Sequence, residues 1–176
     1  MAPSTLARHF LAIAVLPGTV AVTVPLWLAR RNGVTVTWPT DPASVLLAAA
    51  GLAALAVGVS LFIASLRGFA TQGEGTLAPW DPPRRLVVRG PYRYVRNPMI
   101  SGVNFIVFGE ALVLRSWPHL LWALVFLTMN LCWIPFYEEP QLERRFGDDY
   151  RVYRKHVPRF VPRLRPWRPA RGLRAG

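Results

Sequence analysis

The stretch ASVLLAAAGLAALAVGVSLFIASL, residues 43–66, contains no charged side chain and decides the class of fold. An α-helix rises about 1.5 Å per residue, so about 20 apolar residues are enough to cross the hydrocarbon core of a bilayer. This stretch therefore has the length and composition of a transmembrane helix. A core helix of a soluble bundle is the alternative, but such bundles rarely hold several uncharged stretches of this length.

Three more apolar stretches accompany it. Residues 10–29 contain no acidic or basic side chain, and residues 118–137 contain His119 as their one ionisable basic residue. Residues 99–114 are shorter and carry Glu110, which we expect to reach the membrane surface or to pair with Arg115. The pattern predicts an all-α integral membrane protein with about four transmembrane helices.

The overall composition excludes several other classes of protein. The apolar fraction is 52%, which is too high for a disordered chain. The net charge of +12 accompanies long apolar stretches, which favours a membrane protein with basic flanks over a nucleic-acid-binding protein. Cys132 is the single cysteine, so no intramolecular disulfide forms, and no His, Cys, Asp or Glu spacing indicates a metal site.

The distribution of cations predicts how the helices are oriented. With four spans, the N-terminus, residues 67–98 and the C-terminal part lie on one side, and that side holds 18 of the 21 Lys and Arg residues. Because cytoplasmic segments are enriched in Lys and Arg, we predict that both termini are cytoplasmic. We expect a multi-pass protein of a bacterial inner membrane.

The predicted cytoplasmic segment, residues 73–98, is rich in Pro and Gly but also carries Trp80, Tyr92 and Tyr94. Linkers rarely contain aromatic residues at this density, so we expect the segment to pack on the protein. Residues 86–88 predict a short extended piece that ends in a turn.

A helix is predicted to begin at Asn97 and Pro98, because Asn is a favoured helix cap and Pro suits the first helical position. Ser101 and Asn104 follow Asn97 on one face of that helix. Ser101 and Gly102 permit close approach of a neighbouring helix, to which we expect Asn104 to hydrogen-bond.

Two adjacent carboxylates, Glu138 and Glu139, follow the last apolar stretch. Adjacent helical residues project about 100° apart, so one of the two faces a given pocket. Simple charge balance against Arg144 and Arg145 is the alternative. Downstream, residues 143–155 predict an amphipathic helix on the cytoplasmic face.

The order of three motifs along the chain resembles a known family. These are GPYRYVRNPMISG (90–102), the Glu138–Glu139 pair, and LERRFGDDYRVYRKHVPR (142–159). The order is similar to that of the isoprenylcysteine carboxyl methyltransferase and phosphatidylethanolamine methyltransferase group of membrane enzymes, over about residues 72–162. The chain then divides into two N-terminal transmembrane helices (1–66), a methyltransferase core (67–162) and a basic, disordered tail associated with lipid (163–176).

The resemblance implies that S-adenosyl-L-methionine is the cofactor, bound by the cytoplasmic loop and the ends of the last two spans. Glu138 is the expected partner of its amino group. The other residues that the resemblance implies for the cofactor are Arg84, Arg85, Leu86, Val87, Tyr92, Asn97, Pro98, Met99 and Ile100. The acceptor side comprises Ile134 and Glu139.

Two positions depart from the pattern of the family. Asn97 replaces a histidine and therefore cannot transfer a proton. Ile134 replaces an arginine that binds the substrate carboxylate in the prenylcysteine enzymes, which favours a neutral, lipophilic acceptor. No residue is identified as a catalytic base.

The sequence thus predicts a membrane methyltransferase that acts on a lipophilic or small thiol, carboxyl or amine acceptor. Its partners are membrane lipids and that acceptor, without nucleic acid or metal. An NADPH-dependent reductase of the membrane sterol or steroid type is one alternative, with the Arg84–Arg85 and Arg93–Arg96 groups at the 2′-phosphate. A non-catalytic membrane interaction protein is the other.

Overall fold

Helices make up the regular structure in the computed structural model, which describes residues 15, 17–72 and 86–168, and no β-strand forms among those residues. In chain order the elements are a π-helical turn (Thr19–Thr23), α1 (Val24–Arg31), α2 (Pro42–Gln72), a 3₁₀ turn (Gly90–Arg93), α3 (Pro98–Val113), α4 (Trp117–Trp133), a second π-helical turn (Ile134–Glu138), α5 (Glu139–Phe146) and α6 (Asp148–His156).

Two stretches of helix are long and apolar enough to cross a membrane, namely Pro42–Gly68 of α2 and the continuous helix Trp117–Phe146. Only 11% and 22% of their most apolar windows are buried inside the protein. A core helix of a soluble protein would be mostly buried, so these side chains face outward, as in membrane helices. The all-helical fold is confirmed for the described residues. The Pro98–Val113 helix is apolar but shorter, and four spans remain a prediction.

Glycines bring α2 and α3 into close contact. A Cβ atom at Gly58 would lie 2.7 Å from the carbonyl oxygen of Gly102, and one at Gly109 would lie 2.8 Å from that of Gly51. Both glycine pairs are spaced by two turns on each helix, so they face each other along one antiparallel contact. The predicted close approach at Gly102 is therefore confirmed.

The polar residues of α3 bond differently from the prediction. Ser101 Oγ donates to the carbonyl oxygen of Asn97 at 2.9 Å, and Asn104 Nδ2 donates to that of Ile100 at 3.0 Å. Asn104 therefore bonds within its own helix and not to a neighbouring one, since the backbone carbonyls of an adjacent helix are already paired within that helix. Arg115 donates instead to the carbonyl oxygen of Thr37 at 3.0 Å, and Glu110 Oε2 is buried without a hydrogen-bond partner among the described residues, so the pair between Arg115 and Glu110, one of the two alternatives for Glu110, does not form there.

His119 joins α1 to α4 at the other end of the molecule from the residues discussed below. Its ring is buried, with Nδ1 2.7 Å from Ser116 Oγ and Nε2 3.1 Å from the carbonyl oxygen of Pro25. Trp122 Nε1 adds a hydrogen bond to the carbonyl oxygen of Val20 at 3.0 Å. Both ring nitrogens of His119 are satisfied, which indicates a structural histidine.

The single amphipathic helix predicted for residues 143–155 is wrong, because the structure has two helices there. Gly147 separates them with a φ of +54°, a conformation that favours glycine. Asp148 and Asp149 then lie in the first turn of α6, where negative charge is favourable. α6 packs inward through Tyr150 and Tyr153, which form a buried cluster with Leu86, Val88 and Val157.

Candidate functional site

The segment before α3, residues 86–97, packs against α2 and α6. Residues 86–88 are buried, the 3₁₀ turn Gly90–Arg93 follows, and α3 begins at Pro98, which confirms the predicted extended piece, turn and helix start. Tyr92 is also buried and accepts a hydrogen bond at its carbonyl oxygen from the Tyr153 hydroxyl at 2.7 Å. Tyr92 therefore packs on the protein as expected, whereas Tyr94 is 37% exposed and Trp80 lies outside the described residues.

Burial and nearby charges shift the pKa values of the three buried tyrosines, Tyr92, Tyr150 and Tyr153. Burial raises the pKa of Tyr92 well above its usual value, and neighbouring Tyr153 and Glu138 raise it further. Burial together with the Glu139 carboxylate raises the pKa of Tyr150 to about 12, against an opposing effect of Arg96. Burial also raises the pKa of Tyr153. These phenols are neutral at physiological pH.

Residues 158–168, here called the C-terminal strap, run along the segment before α3. Their backbone hydrogen bonds are Arg96 N to Pro158 O at 3.0 Å, Arg163 N to Tyr94 O at 3.0 Å, and Trp167 N to Arg93 O at 2.9 Å. Arg93 Nε donates back to Trp167 O at 2.7 Å, and the Trp167 ring stacks on His156 with centroids 5.2 Å apart. The structure therefore differs from the predicted disorder at residues 163–168. Residues 169–176 lie outside the described residues.

Glu139 is the centre of a buried ion cluster. Its side chain is 4% exposed and accepts two hydrogen bonds of 2.7 Å from Arg159 Nε and Nη2. Arg96 Nη1, on a side chain that is 8% exposed, lies 3.0 Å from Glu139 Oε1. The sequence did not predict that either arginine pairs with Glu139, and it indicated Arg96 only for the 2′-phosphate of the reductase alternative. Arg159 ends the quoted motif of residues 142–159, but its contact with Glu139 depends on how the strap folds.

Glu138 has different surroundings from its neighbour. It ends the π-helical turn Ile134–Glu138, is half-buried, and has no hydrogen-bond or ion-pair partner among the residues that the structure describes. A half-buried carboxylate without a partner is costly, and such groups often mark binding sites. Glu139 is therefore ion-paired, whereas Glu138 has no such partner among the described residues.

Some of the site residues predicted from the sequence lie close together in the structure, and others do not. Tyr92, Glu138 and Glu139 lie in one neighbourhood with Arg96. Ile134 is fully buried. The remaining described residues of the predicted set are buried (Leu86, Val87, Pro98) or half-buried (Asn97, Met99, Ile100). Arg84 and Arg85 lie outside the described residues.

A groove of about 560 Å³ opens on the same end of the helices. Its walls are mostly apolar, and Arg93 supplies a cation; they include Leu61, Tyr94, Ser101, Phe105, Phe160 and Pro162. These side chains come from α2, α3, the segment between them and the strap, so the sequence alone did not reveal the groove. Within the described ranges, no group of three or more His, Cys, Asp or Glu residues is placed to hold a metal ion.

The comparisons with known proteins agree with this arrangement. Residues 46–149 match the family model described as phospholipid methyltransferase. The chain is also similar to the phosphatidylethanolamine N-methyltransferase of Zygosaccharomyces rouxii, with 32% identity over 98 residues, which is 54% of this chain and 11% of that protein. The chain thus spans about a tenth of that relative's length. No solved structure gives a significant match.

The matched region includes α3, α4, both glutamates and the segment before α3. It covers more than half of the 176 residues, which confirms the predicted resemblance to membrane methyltransferases. The chain belongs to the phospholipid methyltransferase family.

Proposed function

We propose that the protein is an S-adenosyl-L-methionine-dependent methyltransferase that methylates a lipophilic acceptor at the membrane. Family membership supplies methyl transfer as the class of reaction. The observation that carries the choice of cofactor is the half-buried Glu138 carboxylate, which has no partner among the described residues and lies beside the buried Tyr92.

The residues present fit this cofactor. Its amino acid part carries an ammonium group, and a free carboxylate binds an ammonium through charge-assisted hydrogen bonds. Glu139 is already neutralised by Arg96 and Arg159, so Glu138 is the carboxylate that remains for a cation. Burial keeps Tyr92 neutral, so it adds no second negative charge beside Glu138.

When bound, the cofactor supplies an electrophilic methyl group on a positively charged sulfur. The protein then has to align the acceptor with that group and exclude water. Leu86, Val87 and Pro98 are buried and give the site apolar walls, and we propose that Asn97, Met99 and Ile100 complete it. We also propose Arg84 and Arg85 as cofactor residues from the resemblance alone.

The proposed acceptor enters from the lipid through the apolar groove beside the strap. The relative's name, phosphatidylethanolamine N-methyltransferase, makes a lipid amine the first acceptor class to test. Thiols and neutral lipophilic acceptors follow. Neither comparison favours the reductase or the non-catalytic alternative.

The proposal includes a four-span, multi-pass protein of a bacterial inner membrane, with both termini in the cytoplasm. Two observations support the two-sided arrangement. Arg115 contacts Thr37 at one end of the helices, whereas Tyr92 packs beside Gly68 at the other, together with the strap. The division into residues 1–66, 67–162 and 163–176 stays a prediction.

Calorimetry on the purified full-length protein in lipid nanodiscs tests the cofactor. Glu138→Gln is expected to weaken S-adenosyl-L-methionine binding roughly ten- to hundredfold, because a charge-assisted hydrogen bond contributes about 1.5–3 kcal/mol. Glu143→Gln is the matched control, since Glu143 lies on the same helix but pairs with Arg151 and Arg154. Absence of binding to the wild type, or equal affinity of the wild type and Glu138→Gln, would contradict the proposal.

A further inference from the structure

Arg159 reaches the carboxylate pair from outside the region that matches the family, which ends at residue 149. We propose that Arg159 is a positioning residue of the cofactor site, which anchors Glu139 and thereby holds the Glu138 carboxylate towards its ligand. The inference rests on the proposed function, since Glu138 is the cofactor partner in that proposal. It gives the C-terminal strap, which lies beyond the residues that match the family model, a role in the cofactor site.

Glu139 needs a strong partner because its side chain is only 4% exposed. A buried carboxylate is stable only when it is paired and hydrogen-bonded. Arg96 approaches one oxygen of Glu139, at 3.0 Å, whereas Arg159 contacts both, each at 2.7 Å. A planar guanidinium fixes the plane and direction of a carboxylate by this fork geometry, which a single contact does not.

Fixing Glu139 also orients Glu138, because the two residues are adjacent on one helical stretch. The π-helical turn Ile134–Glu138 ends directly before Glu139. A π-helical turn holds one more residue than an α-helical turn and so changes the rotation of everything after it. Because adjacent residues project about 100° apart, a rotation by one residue would exchange the two carboxylates. Pairing Glu139 with Arg159 selects which of them is neutralised and which stays free.

Arg159 is held in place by the backbone of the strap on which it lies. The strap around it is hydrogen-bonded to the segment before α3 through Pro158, Arg163 and Trp167. That segment carries Tyr92, whose carbonyl oxygen also accepts the bond from Tyr153. The Arg159 guanidinium is therefore held by a fixed backbone rather than by a free tail, and the strap, the segment before α3 and α5 meet at one carboxylate.

The test compares two ligands that differ in the group that Glu138 is proposed to bind. S-adenosylhomocysteine carries the amino acid part, and 5′-methylthioadenosine lacks it. In the full-length protein, Arg159→Gln is expected to weaken binding of S-adenosylhomocysteine roughly tenfold and to leave binding of 5′-methylthioadenosine unchanged. Arg159→Lys keeps the charge but loses the fork, so an intermediate affinity is expected.

Arg165→Gln is the matched control. Arg165 lies on the same strap, is exposed, and makes no hydrogen bond or ion pair with the residues that the structure describes. Arg165→Gln removes one positive charge, as Arg159→Gln does, but leaves the contacts of Glu139 intact. Binding of both ligands should therefore stay at the wild-type level. The double variant Glu138→Gln with Arg159→Gln should bind S-adenosylhomocysteine no more weakly than Glu138→Gln alone, since Arg159 acts through Glu138.

In turnover assays the KM for S-adenosyl-L-methionine should rise in Arg159→Gln while kcat stays near the wild-type value, as expected when a contact remote from the reacting atoms is lost. Wild-type affinity of Arg159→Gln for both ligands would overturn the inference. An equal loss for both ligands that Arg159→Lys does not relieve would also overturn it, because it indicates a general structural role. A wild-type protein that binds neither ligand would overturn the proposed function and the inference with it.

Discussion

Ile134 and the arginines near it determine which acceptors the site is expected to use. Ile134 is fully buried and offers no charge where the prenylcysteine enzymes have an arginine. Arg96 is committed to Glu139, and Arg93 donates its Nε to the carbonyl oxygen of Trp167. A carboxylate that enters from the bilayer is heavily penalised in a low-dielectric site unless a cation meets it.

We therefore expect poor methylation of prenylcysteine carboxylates and better methylation of lipid amines or neutral lipophilic thiols and phenols, with a difference in kcat/KM of at least about tenfold. Transfer of radiolabelled methyl groups across such a panel measures it. Arg93 lines the groove and is the cation to test. Efficient turnover of the prenylcysteine acid that is lost in Arg93→Ala but kept in Ile134→Ala would contradict this expectation.

At the same scale, the sequence shows that Glu138 and Glu139 differ in direction but not which arginines surround them. The difference in direction is a property of the helix and needs no tertiary structure. The partner of Glu139 lies 20 residues downstream and reaches it only because the strap turns back over the segment before α3. Contacts of this range are invisible to local patterns.

The contact between α2 and α3 gives a prediction about a structural element. A Cβ at Gly102 would lie 2.8 Å from the carbonyl oxygen of Gly58 and 3.0 Å from the backbone nitrogen of Phe62. Because backbone atoms cannot move aside independently, Gly102→Ala should force the helices apart. Overpacking of this kind typically costs about 1–3 kcal/mol of stability.

Denaturant or thermal unfolding in detergent measures the effect, with Gly68→Ala as the control on α2. A Cβ at Gly68 would meet its nearest atoms at 3.8 Å, which is ordinary contact. That variant should be as stable as the wild type or more stable by up to about 1 kcal/mol, since alanine favours helix. Equal stability of Gly102→Ala and Gly68→Ala would show that the glycine contact is not tight.

The elements themselves differ in how well the sequence predicts them. The start of α3 follows from local chemistry, because Asn97 and Pro98 suit a helix start wherever the helix lies. The break at Gly147 and the π-helical turn are harder to predict. Glycine is tolerated inside continuous helices at modest cost, so Gly147 alone does not predict a break. Pro135 lacks the N–H that an α-helix needs, and helices accommodate a proline by kinking, widening or ending. Tertiary packing decides among these outcomes.

At the scale of the whole molecule, the apolar stretches and the charge distribution are the predictable features. Both depend on composition over many residues, so errors at single positions average out. The groove and the strap are not predictable in this way. The walls of the groove include Leu61, Phe105 and Phe160, which only the folding of about a hundred residues of chain brings together. The sequence therefore predicts the carboxylates of the site, whereas the structure is needed to find the groove and the strap beside them.

The orientation in the membrane gives the last prediction. In the proposed four-span arrangement, the end of the helices that carries the carboxylate pair and the strap lies on the side with 18 of the 21 cations, whereas Arg115 and Thr37 lie at the opposite end. The positive-inside rule places the cation-rich end in the cytoplasm.

A reporter enzyme that works only outside the cytoplasm should be silent when fused after Gly176. The same reporter should be active when it is inserted after Val36, in the connection between α1 and α2, and this insertion is the matched control. Activity after Gly176 together with silence after Val36 would invert the protein and move the proposed cofactor site to the outer face, where no cytoplasmic S-adenosyl-L-methionine reaches it.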